Sequence, residues 1–293
     1  MNGHALVKID LDGLSKPANT LIKKMSEAVG GIARPAQIRR VAEAEADAER
    51  IKTLSRIETT ELEQRALQRF VFEEAKKQNN IESITGQSLL QLNESAKPEE
   101  IEDDWITNFF DKCRLISDEE MQSIWANILA GEANTPGRFS KRTVNFMVSL
   151  DKKDAQLFTK LCAFNWRVGN IQPLIYDPNA EIYTRNGINF VGLKHLDAIG
   201  LISFESGITR YQREHFPETT IAAYKNDLYL LKFTKEKDNN IDVGQVLFTG
   251  IGEELASICT PEIVTGFDEY IIDHWKKQSI EVVSLAGPTK SSP

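Results

Sequence analysis

The 293-residue chain is long enough for one large or two medium domains, and 41% hydrophobic residues supply a core. A formal net charge of −8 argues against a dedicated nucleic-acid coat or a polybasic membrane-surface protein, while leaving room for a local basic patch. The opening MNGHALVKIDLDGL has no long apolar segment, and no run nears the ~18 apolar residues of a membrane span, so a cytoplasmic protein is expected.

Segment 1–34 reads as an N-terminal amphipathic helix. In GLSKPANTLIKKMSEAVGG, the residues Leu14, Ala18, Leu21, Met25, Ala28 and Val29 recur at helical spacing, with Lys16, Lys23 and Lys24 off the stripe. Gly30 and Gly31 end it. The stripe is expected to pack on its own domain; peripheral contact with a membrane is the weaker alternative.

Segment 35–165 reads as a helical domain. Pro35 stands where a proline opens a helix, and neither Pro nor Gly follows until Gly86. Strong helix formers and the recurrence of Ile38, Val41, Ala44, Ala48, Ile51 and Leu54, continued by Leu62, Ala66 and Phe70, predict one helix of about 40 residues. Its narrow, alanine-rich seam wants another helix beside it. Ile38, Val41, Ala48, Ile51 and Leu54 are therefore candidates for an oligomer interface, with packing inside the chain as the open alternative. NNIESITGQSLLQL predicts a second, shorter helix, broken at NESAKP.

Pro98 opens EEIEDDWITNFFDKCRLI, whose early acids Glu99, Glu100, Glu102, Asp103 and Asp104 suit the positive end of a helix dipole. A metal site would need carboxylates converging from separate elements, often with histidine, and none is expected here. Ser117 with Glu120 reads as a capping box before Met121, Ile124, Trp125, Ile128 and Leu129. Trp105, Phe109, Phe110 and Trp125 are expected to share one core.

GEANTPGRFSKRT, from Gly131 to Thr143, invites comparison with a phosphate-binding loop. The match fails: five residues separate Gly131 from Gly137, Arg138-Phe139 replaces Lys-Ser/Thr, and a helix precedes it rather than a strand. It reads as a loop, with Ser140 capping a helix through Phe146, Met147 and Leu150. Arg138, Ser140, Lys141 and Arg142 around that helix start form a lesser candidate anion site.

Beyond the helix of KKDAQLFTKLCAF, capped by Asp151, the Asn-, Gly- and Pro-rich stretch 166–186 reads as a connector. Residues 187–285 then give a short helix, a strand at Leu201–Phe204, a hairpin around DLYLLKF and a helix after Thr249. The expected fold class is mainly α: a long-helix N-terminal domain followed by a smaller α+β winged-helix-like domain. Lys194 and His195 are the polar readers such a domain would offer a nucleic acid, and protein contact fits equally well. AGPTKSSP, residues 286–293, has no apolar anchor and is expected to be a disordered tail.

His4, His195, His215 and His274 form no HExxH or zinc-finger spacing, and no GxSxG is present. Cys113, Cys162 and Cys259 form no CxxC and read as buried thiols of a reducing compartment. No catalytic set or cofactor motif emerges.

RPAQIRRVAEAEADAERI, NNIESI, DDWITNFFDKC, EEMQSIWANILAGEANTPGRFSKRTV and FTGIGEELASI resemble the bacterial DUF2806 family of unknown function. The run Trp125 to Ser140 is also similar, more loosely, to the abortive-infection Abi-alpha (DUF4393) proteins. The resemblance implies a role in phage defence and supplies no catalytic residues. A non-enzymatic protein that self-assembles or binds a protein partner is the expected function. Nucleic-acid binding, or a triggered nuclease or membrane effector, is the alternative.

Overall fold

A computed structural model divides the chain into two compact units, Met1–Ser149 and Leu150–Pro293. Residues 14–29, 60–207 and 210–285 are described. The seam Ile38, Val41, Ala48, Ile51 and Leu54 and the tail 286–293 lie outside the described residues.

In the first unit, α1 (Lys16–Ala28) starts at Ser15, whose hydroxyl accepts the Ala18 N–H, and buries Ala18, Leu21 and Met25. That stripe meets the turn Pro98–Glu100 and α3 (Asp103–Cys113), so it packs on its own unit as expected. Lys24, off the stripe, donates to the Ile101 carbonyl and to Asp103 at 3.0 Å.

α2 (Glu61–Leu89) differs from expectation at both ends. It starts afresh at Thr60, whose backbone is extended. The Thr60 N–H donates to Glu63 at 2.8 Å and the Glu63 N–H to the Thr60 hydroxyl at 3.4 Å. This capping box sits inside ETTELEQ and stops a helix from running through from Pro35. At the other end the expected second helix is the same helix, which passes Gly86 without a break. A glycine inside a helix costs only about 1 kcal/mol, and burial of Ile81, Ile84, Thr85 and Ser88 holds this stretch.

That buried third lies on α4 (Glu119–Asn134). Asn80 donates to the Arg114 carbonyl at 2.8 Å and accepts from Gln122 at 3.2 Å, while Ser83 donates to Gln122 at 2.8 Å. The cap of α4 is Asp118 rather than Ser117, which instead accepts from the Asn80 amide. The expected aromatic core is present: Phe109 stacks on Trp105 at 5.2 Å and meets Phe110 and Trp125 edge-on. α5 (Lys141–Met147) completes the unit, capped by Ser140.

The second unit is not a winged helix. Its centre is a five-stranded antiparallel sheet that runs, edge to edge, Asn170–Pro173, Asn165–Val168, Thr219–Tyr224, Asp227–Lys232 and Glu281–Ser284. α6 (Lys152–Cys162) leads into β1 (Asn165–Val168) and β2 (Asn170–Pro173), which but for Asn165 fall inside the stretch read as a connector. α7 (Glu181–Thr184), α8 (Phe190–Ala198) and β3 (Ile202–Phe204) follow. Then come β4 (Tyr211–Phe216), β5 (Thr219–Tyr224), β6 (Asp227–Lys232), β7 (Asn239–Gly244) and β8 (Val246–Phe248). α8 (the intended recognition helix) therefore precedes a β3–β8 pair and a β4–β7 pair, not a wing. α9 (Gly250–Ala256), α10 (Phe267–Lys277) and β9 (Glu281–Ser284) close the unit.

α10 fills the inner face of the sheet: Trp275 meets Trp166 at 4.8 Å and Phe267 meets Phe164 at 4.9 Å. One approach depends on a missing side chain. A Cβ on Gly252 would stand 1.9 Å from the Leu201 carbonyl oxygen, so only glycine lets α9 start against β3.

Candidate functional site

The basic loop is occupied from within. Glu132, in the last turn of α4, is 2% exposed although it is an acid. Its carboxylate accepts the Gly137 N–H at 2.7 Å and the Phe139 N–H at 2.9 Å. The chain's own carboxylate thus holds two amides of the loop that leads to the α5 start. The Phe139 ring closes over Gly131, where an added Cβ would lie 2.6 Å from it, and the Trp105 indole donates to the Phe139 carbonyl at 2.7 Å. Of the four residues considered for an anion, Ser140 accepts the Thr143 N–H at 3.2 Å, and Lys141 faces Asp104 at 3.5 Å. Arg138 lies over the Phe139 ring at 5.5 Å, and Arg142 is exposed. The α4–α5 turn itself is held by Glu132 and by the Trp105 bond to Phe139.

Lys194 and His195 are engaged within the second unit. Lys194 donates to the Phe204 carbonyl at 3.2 Å and lies over its ring, and His195 meets Asp154 at 2.7 Å. The acidic run is likewise spread: Asp103 meets Lys24, Asp104 meets Lys141, and Glu100 meets Lys97. Among the described residues no three His, Cys, Asp or Glu side chains converge.

A polar cluster surrounds His274 on α10. Its ring stacks on Tyr176 at 3.6 Å, and its Nε2 lies 3.4 Å from the Arg210 guanidinium, which pairs with Asp242 at 3.2 Å. Tyr176 donates to the Asp242 carbonyl at 2.8 Å and accepts from the Trp275 indole. Burial pushes the Tyr176 hydroxyl well above its ordinary range and holds His274 below its own. The cluster keeps a neutral imidazole over a neutral phenol, which suits packing more than proton transfer.

Among the described residues, the first half of α2 is widely exposed. From 61 to 76 every residue is exposed except the half-buried Leu67 and Val71. Sixteen residues at 1.5 Å each make a rod about 24 Å long. Leu62 is 68% exposed, Phe70 59% and Phe72 75%. Leu62, Ala66 and Phe70 fall in one row four residues apart, whereas Phe72 stands on the other side of the rod. The capping box and the i,i+4 pairs Arg65–Glu61 and Arg69–Glu73 support the helix locally. A second apolar surface lies on the outer face of the sheet, where Ile221, Leu230 and Val283 stand in register across β5, β6 and β9. Ile221 is 59% exposed. Exposed contiguous apolar side chains of this kind mark contact surfaces. The periodicity that predicted the long helix marked Leu62 and Phe70; Phe72, off the seam, was not anticipated.

The family model described as "Protein of unknown function (DUF2806)" matches residues 64–272. No curated protein and no solved structure matches the chain.

Proposed function

The chain belongs to the DUF2806 family, and we propose that it is a non-enzymatic assembly protein in which the exposed half of α2 joins a second copy of the chain. The observation that carries this reading is the exposure of Leu62, Phe70 and Phe72 on a helix half that also carries seven charged residues. The charge order favours a second copy. Two such helices running antiparallel about a two-fold axis near Arg69 would set Glu61 against Lys77 and Arg65 against Glu73. The same register sets Ala66 against Phe72. Ile38, Val41, Ala48, Ile51 and Leu54 precede this helix in sequence and would extend the same contact.

A setting in anti-phage defence, exerted by assembly rather than turnover, rests on the resemblance read from the Trp125–Ser140 sequence run alone. The outer face of the sheet, apolar and uncharged at Ile221, Leu228, Leu230 and Val283, favours a protein over a nucleic acid as any further partner. Solution mass measured by mass photometry and light scattering tests the proposal. A dimer or a higher even-numbered oligomer is expected, converted to monomer by Phe70→Glu with Phe72→Glu while the circular dichroism stays unchanged. A wild-type monomer at tens of micromolar would overturn it.

A further inference from the structure

Cys162 and Cys259 are far apart in sequence but adjacent in the second unit. Cys162 ends α6 and is buried; Cys259 follows α9 and is partly exposed. Thr159 and Cys162 are three residues apart on α6 and share a face. The Cys259 sulfur lies 4.0 Å from the Thr159 hydroxyl, over that face, which sets it one helical turn from Cys162.

A cation faces the pair. Lys225 is half-buried at the β5–β6 hairpin, between Tyr224 and its partner Asp227, and its ammonium acts on both sulfurs. Its φ is +53°, in the left-handed region, at a turn position where glycine is the usual occupant. A lysine kept in a conformation that disfavours it brings charge to a place that already holds two thiols.

We propose that Cys162 and Cys259 are a peroxide-reactive dithiol that closes to a disulfide within the chain, with Cys259 as the attacking sulfur and Cys162 as the resolving one. Exposure selects Cys259 for attack, since the peroxide must reach it. The geometry also sorts the charge. Burial keeps the proton on Cys162, while the neighbouring Cys162 thiol, then Thr159 and Lys225, lower the Cys259 pKa.

In the first step the Cys259 thiolate attacks one oxygen of hydrogen peroxide and the O–O bond breaks. The sulfur is oxidised to a sulfenic acid, and the leaving hydroxide takes up the thiol's proton as water. In the second step the Cys162 sulfur attacks the sulfenyl sulfur, its proton joins the departing hydroxyl, and a second water leaves as the S–S bond forms. Two thiols and one peroxide become one disulfide and two waters.

The full-length protein is treated with one equivalent of hydrogen peroxide, alkylated without reduction, digested and analysed by mass spectrometry. A linked Cys162–Cys259 peptide is expected, with Cys113, whose thiol burial holds well above the ordinary range, still alkylated only after unfolding. In Cys162→Ser the Cys259 sulfenic acid should accumulate and react with dimedone. Lys225→Met should slow thiol loss roughly three- to tenfold, the effect of a smaller thiolate fraction. The proposal is overturned if wild-type protein gives no linked peptide, if Cys259 bridges only between chains, or if its thiol reacts no faster than free glutathione. The wild-type mapping decides the matter even where a variant folds poorly.

Discussion

Removing the Glu132 carboxylate is the sharpest test of how the first unit holds its α4–α5 turn. The side chain is buried and accepts two backbone N–H groups, from Gly137 and Phe139. A hydrogen bond to a charged group contributes about 1.5–3 kcal/mol, and an orphaned donor costs about 1–3 kcal/mol. Glu132→Ala strips both bonds and should cost roughly 3–5 kcal/mol, because desolvation of the carboxylate offsets part of what the bonds supply. Glu132→Gln keeps the shape and one acceptor but turns an NH₂ toward the second N–H; about half that loss is expected. Urea unfolding followed by tryptophan fluorescence measures both. Trp105 reports on the turn directly through its bond to the Phe139 carbonyl. If both variants unfold within about 0.5 kcal/mol of the wild type with unchanged m, the carboxylate is not what holds the turn.

Three further outcomes are expected. Gly252→Ala should prevent α9 from seating on β3, lowering the second unit's stability by several kcal/mol or leaving it insoluble, since the new Cβ meets the Leu201 carbonyl; a melting temperature like the wild type's would contradict this. His274 is held below its ordinary 6.5 mainly by burial, then by Arg210 and Lys277, against the pull of Asp242. The unfolded chain therefore takes up this proton first as pH falls, and stability declines from about 6.5 down to the folded pKa and then levels. His274→Phe keeps the ring on Tyr176 and should flatten that slope, read as urea midpoints at pH 7.5 and 5.5. Gly131→Ala should displace the Phe139 ring at a cost of about 1–3 kcal/mol, visible as a shifted Trp105 emission.

Several elements were legible because their signals are local. Ser140 and Asp151 cap helices where the sequence places them, and the Trp105, Phe109, Phe110 and Trp125 set forms a core. Thr60 and Glu63 carry an equally local signal, masked by the strong helix formers on either side. DLYLLKF, read as a strand, is β6, but the other side of the sheet was lost for a different reason. β1 and β2 lie in NWRVGNIQP, whose Asn, Gly and Pro are turn residues, and their strand character comes from pairing with each other and with β5. β5, TTIAAY, is half exposed and short of large inward residues.

Glu132 left a readable trace, because WANILAGEAN is apolar on nearly every side and an acid in such a helix must find internal partners. The Cys162–Cys259 pair left none. Only the return of the chain past α6 brings those sulfurs together.

The two halves of α2 have unlike surroundings, one sunk into the unit through Ile81, Ile84 and the Asn80–Gln122 bonds, the other standing in solvent. An α-helix is stiff along its axis, so a pull at Leu62 or Phe72 is not absorbed on the way. It reaches α4 as a tilt, at the place where Gln122 and Asn80 share hydrogen. Whatever grips the outer half thereby holds a handle on the interior.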